Sequence, residues 1–123
     1  MLLTLLSGGC DPNKGPDTFS SPEGIYSCQE NSVYSGYRKY LVELNRKQDN
    51  TSVYIISNFH NQGDNEFVYA TIIGDSIYIS DQLISNLLVS GKGKVDNDFK
   101  QITLQYQTSD GITDLDFYAV YSR

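Results

Sequence analysis

The chain has 123 residues and a net charge of −6, with 39% hydrophobic and 20% charged residues. That suffices for one folded domain, and it matches neither a membrane-embedded bundle nor a disordered chain. The nine Lys and Arg are scattered rather than gathered on one face, which argues against nucleic acid as a partner.

Residues 1–9 are a short apolar run ending in small residues ahead of Cys10, and residues 11–22 follow with all three prolines and no apolar period. A bilayer span needs about 20 apolar residues, and a complete signal peptide begins with a positive segment; the run has neither. Leu6-Ser-Gly-Gly-Cys10 resembles the back half of a bacterial lipoprotein signal, with Leu6 one place further out than the usual pattern and Ser7 where its Leu would stand. In such signals small residues let the backbone enter the peptidase, and the cysteine thiol accepts diacylglycerol. The resemblance implies a partial signal peptide over 1–9 and a lipidated Cys10. It also implies a flexible linker over 10–22 that holds the domain at 23–123 clear of the headgroups. A chance apolar N-terminus is the alternative. Cys28 is then a lone thiol buried as a small hydrophobe, or, in an oxidising compartment, half of a Cys10–Cys28 disulfide.

From Glu23 onward, Tyr, Val, Ile and Thr dominate, residues suited to a pleated, half-buried surface, and turn formers divide them into short segments. Strands are expected at Gly24–Cys28, Lys39–Asn45, Val53–Phe59, Phe67–Ile73 and Ser76–Ser80. In the second, Tyr40, Val42 and Leu44 share one face. Leu83, Ile84, Leu87 and Leu88 have helical spacing, so a helical turn is expected before a strand running to Val95. In that strand Gly91 and Gly93 fall on the inward face, marking a bend or a close backbone approach, with Lys92 and Lys94 outward as edge protection. Phe99–Tyr106 and Asp114–Tyr121 complete the set around the hairpin signal Thr108-Ser-Asp-Gly111. About eight strands with short connections predict an all-β, antiparallel up-and-down meander closed into a small lipocalin-like barrel. A two-sheet β-sandwich is the alternative.

Gly24-Ile-Tyr26, Val53-Tyr-Ile-Ile-Ser-Asn-Phe59, Ile77-Tyr-Ile79, Ser90-Gly-Lys-Gly93, Ile102-Thr-Leu-Gln-Tyr106 and Tyr118-Ala-Val-Tyr-Ser-Arg123 together resemble the small Bacteroidota lipoproteins with a lipocalin-like meander. The resemblance spans residues 23–123 and implies fold and a bacterial outer-membrane location, not a reaction. Asp75-Ser-Ile77 further resembles the O-glycosylation acceptor of exported Bacteroidota proteins, which makes Ser76 a candidate acceptor.

Chemistry is sparse. His60 is the only histidine, and without a second His or a Cys pair it cannot anchor a zinc site; it reads as a turn residue. Asp114 and Asp116 share a strand face about 7 Å apart, a spacing open to glycoside chemistry but ordinary for a solvated face. Gly91-Lys-Gly93 lacks the spacer of a phosphate loop. The expectation is therefore a non-enzymatic module with no catalytic residues, metal or cofactor. It is held at the membrane by its lipid and binds an outer-membrane protein complex, a glycan or a small apolar ligand. A carrier with the ligand inside the barrel and, further off, a glycan-acting hydrolase are the alternatives.

Overall fold

A computed structural model describes residues 19–123. Cys10 and the segment read as a signal lie outside the described residues. Eight antiparallel strands follow one another around a closed barrel. They are β1 (Gly24–Ser32), β2 (Gly36–Arg46), β3 (Val53–Ser57), β4 (Phe67–Ile73), β5 (Ser76–Ile84), β6 (Leu87–Val95), β7 (Gln101–Ser109) and β8 (Asp114–Ser122). β8 closes the ring by pairing with β1, from Ser27↔Ser122 to Asn31↔Tyr118. The expected meander is formed and closed, and closure removes the exposed edges that a sandwich would keep.

Period-two alternation decides which side chains fill the barrel. Tyr26 and Cys28 of β1, Val42 and Leu44 of β2, Ile102 and Leu104 of β7, and Ala119 and Tyr121 of β8 are all buried. Their outward neighbours, such as Ile25, Leu41 and Tyr118, are exposed. The turns are built from the expected residues. At the top of the barrel Asp110 Oδ1 accepts hydrogen bonds from the backbone N–H of Ile112 (2.9 Å) and Thr113 (2.8 Å), closing the β7–β8 hairpin. These bonds hold the Asp110 carboxyl below its usual range.

Three local expectations are corrected. Leu83 to Leu88 contains no helical turn. Ser85 and Asn86 adopt left-handed backbone (φ 50° and 67°) and form a two-residue turn, so the leucine spacing comes from two strand ends facing each other. The third strand stops at Ser57, and Phe59 instead begins a 3-10 turn, Phe59–Asn61, that folds over the top of the barrel. Lys92 and Lys94 point outward on β6, but β6 is paired on both sides, so they protect no edge.

At the base, the two ends of the described chain are tied together. The Arg123 guanidinium donates to the carbonyls of Phe99 (2.9 Å), Ser21 (2.7 Å) and Glu23, and stacks over the rings of Phe19 and Tyr26. The Tyr26 hydroxyl donates to the Pro22 carbonyl at 2.6 Å. The chain therefore enters the barrel from the base, opposite the β1–β2 and β7–β8 hairpins. Charged hydrogen bonds of this kind contribute more than neutral ones, so Arg123→Ala is expected to lower stability by about 2 kcal/mol. Urea unfolding followed by circular dichroism measures it.

Candidate functional site

Two features stand apart from a plain packed barrel, and they share β7 and β8. The first is a buried polar cluster under the top. The alternation that buries Tyr26 and Cys28 carries on to Glu30, which is 0% exposed. Arg38 lies directly across on β2. Its Nε sits 2.9 Å from Glu30 Oε1, and its Nη2 bonds the same oxygen. The hydroxyls of Tyr40 (3.1 Å) and Tyr106 both donate to Oε2. The carboxylate is thereby saturated with donors, the condition under which a charge tolerates burial.

His60 completes the cluster from above. Asn58, His60 and Asn61 all take left-handed backbone (φ 58°, 57° and 58°), an arrangement costly for residues other than glycine. Asn58 secures it: its Nδ2 donates to the Leu41 carbonyl at 2.7 Å and its Oδ1 accepts from Gly63 N at 2.8 Å. The result turns Phe59 and His60 inward as a plug. His60 Nδ1 lies 2.6 Å from the Tyr106 hydroxyl and 3.6 Å from Glu30 Oε2. Tyr106 has one proton and gives it to Glu30, so the short contact requires the proton on His60 Nδ1. Arg38 Nη2, 3.1 Å from that nitrogen, can only donate and is then a charge neighbour, not a partner. Phe117 packs edge-on to His60 and stacks on Tyr106, with centroids 4.6 and 5.1 Å apart.

The electrostatics follow from this packing. Burial pushes the Glu30 carboxyl up, but hydrogen bonding and charge from His60 and Arg38 outweigh it and hold the group below its ordinary value. Burial also pushes the free Cys28 thiol up to about 12. A thiol held this firmly in its protonated form, inside the wall, is inert. Glu30, Tyr106 and His60 are likewise buried, and the cluster braces the top of the barrel.

The second feature is an open groove of about 1180 Å³ on the outer flank of β5 to β8, walled at its top by Asn31–Tyr34 of the β1–β2 hairpin. Register builds it. Tyr78 pairs with Lys92, Lys92 with Gln105, Gln105 with Tyr118, and Tyr118 with Asn31, one continuous row across five strands. The row above it runs Ser90, Gln107 and Asp116. The backbone of Gly91 forms part of the floor. A shallower hollow of about 380 Å³ shares Tyr78, Lys92, Gln105 and Tyr118 and continues the groove down to Ser76.

The sequence-derived candidates distribute unevenly over this surface. Ser76 is half-buried at the lower end of the groove, its hydroxyl 3.4 Å from Asp75 Oδ1. Asp114 and Asp116 are both solvated on the outer face, and only Asp116 lines the groove. His60 sits in a turn of the expected connection, with its side chain buried. Among the described residues, no group of three His, Cys, Asp or Glu is placed to hold a metal ion. Sequence reading passed over Glu30 and Arg38, although Glu30 is in phase with Tyr26 and Cys28. No family model, no curated protein and no solved structure matches this chain.

Proposed function

We propose that the chain is a non-enzymatic binding module, tethered at the bacterial outer membrane through a lipid on Cys10, whose working surface is the flank groove. The observation that carries this reading is the groove itself: a large open hollow lined by half-exposed tyrosines and side-chain amides on an otherwise self-contained barrel. A carrier would need its chamber inside, and the axis here is occupied by buried side chains such as Leu44, Ile56, Ile102 and Tyr121. A hydrolase would need converging acids; Glu30 is sealed within the wall, while Asp114 and Asp116 face outward.

The anchor fits the geometry. The chain enters at the base, where Phe19 N donates to the Asp98 carbonyl at 3.0 Å, and the upper end of the groove lies at the opposite hairpins. A tether at Cys10 would leave that end directed away from the membrane. The likeness of residues 23–123 to small Bacteroidota lipoproteins supports the same placement.

Membrane fractionation followed by intact-mass measurement tests the tether. The expected product is a membrane-bound, acylated chain beginning at Cys10, and Cys10→Ala should move essentially all of it to the soluble fraction. A soluble wild-type chain that retains Met1 would overturn the anchor.

A further inference from the structure

Resting on the reading of the groove as the binding face, we infer that its ligand is a neutral oligosaccharide. Peptide recognition by strand addition is closed to this surface, because every strand that lines the groove is already paired on both sides within the barrel. A ligand must therefore be read by side chains.

Those side chains have a particular chemistry. Tyr78 and Tyr118 are 49% and 44% exposed, so each ring leaves a face open to solvent. They stand three strands apart, roughly 14 Å at the usual inter-strand spacing. Between them lie Lys92 and Gln105, and beside them Gln107 and Asp116. Gln107 Nε2 and Asp116 Oδ1 are 3.3 Å apart, leaving the other amide and carboxylate atoms available.

A sugar ring offers what this row can use: an apolar C–H face to lie on an aromatic ring, and a rim of hydroxyls that both donate and accept. Glutamine amides match such a rim because each carries both kinds of group. The tyrosines add ring and hydroxyl together. Charge narrows the class further. Lys92 and Asp116 cancel within the groove, so it lacks the single-signed field that selects polyanions or polycations. An acyl chain would want a continuous apolar lining, and Lys92, Gln105 and Gln107 interrupt this one.

The test is titration of the full-length protein in detergent against defined hexasaccharides of glucose, galactose, mannose and N-acetylglucosamine. A sulfated hexasaccharide and a random peptide pool serve as comparison probes. At least one neutral hexasaccharide should bind, and Tyr78→Ala and Tyr118→Ala should each weaken it roughly tenfold, the loss typical of a central aromatic contact. Leu41→Ala, on the opposite outer wall, should leave affinity unchanged, and unaltered thermal unfolding of the tyrosine variants shows that the barrel is intact. Tyr118-dependent binding of the sulfated probe or of peptide in preference to neutral sugar overturns the sugar assignment while keeping the groove as a binding face. Absence of any tyrosine-dependent binding overturns both, and neither outcome bears on the acylation of Cys10.

Discussion

Glu30→Ala is expected to lower the stability of the barrel at pH 7 by about 4 kcal/mol, a large share of the total for a domain of this size. The variant leaves the Arg38 guanidinium without its anion and deprives the Tyr40 and Tyr106 hydroxyls of their acceptor. Arg38→Ala should cost less, about 3 kcal/mol, because its side chain is 29% exposed and water relieves part of the loss. Replacing both by apolar residues of similar volume should recover much of the deficit, since the burden lies in an unpaired buried charge. The pH dependence has a definite sign. The carboxyl of Glu30 is held below its ordinary value of 4.5 in the folded protein, so its contribution is complete above about pH 4.5 and is lost as pH falls through the lowered value. Glu30→Gln should therefore remove part of the acid sensitivity seen in urea titrations at pH 7 and pH 3. A Glu30→Ala loss under 1 kcal/mol, or an acid limb identical in Glu30→Gln, would show that the cluster does not brace the barrel.

This cluster also marks where sequence reading ran out. Strand identity was legible because alternation in segments such as Lys39–Asn45 and Ile102–Tyr106 answers to a single physical demand, one face in and one face out. Antiparallel order was legible from connections too short for crossovers, and closure from the exposed edges that an open meander would leave. The expected first two strands, however, stop at Cys28 and start at Lys39, short of both Glu30 and Arg38. Glu30 is nevertheless tolerated inside, because partners arrive from β2, the plug and β7, Tyr106 from 76 residues away. Nothing local announces such a partner. His60 was missed for a different reason. Its direction is set by left-handed backbone at three neighbouring residues, which residue type alone does not specify. The groove needs still more: Tyr78 and Tyr118 face the same hollow only after four strands have found their register.

The glycines of β6, by contrast, announced themselves, and they carry the second large prediction. Gly93→Ala should destabilise the protein by about 3 kcal/mol, and Gly93→Val should prevent closure altogether. Neither Gly91 nor Gly93 has positive φ, so the demand is for space and not for conformational freedom. A methyl group at Gly93 would collide with the Thr103 carbonyl oxygen and stand 2.9 Å from Leu104 Cα; at Gly91 it would stand 2.6 Å from Tyr106 Cβ. The atoms in the way at Gly93 are backbone of β7, held by ladders on both sides, and cannot swing aside as a side-chain tip would. Gly111→Ala is the matching control. It has open space around it but φ of 92°, so it should cost only about 1 kcal/mol, from backbone strain alone. Gly91→Ala should add an effect of its own, because displacing Tyr106 pulls its hydroxyl off Glu30 and loosens the cluster from the groove side. Denaturant midpoints for the three alanine variants separate these contributions. If Gly93→Ala cost no more than Gly111→Ala, the two strands would have room to part, and the tight β6–β7 curl that lays Gly91 bare on the groove floor would not be what closes the barrel.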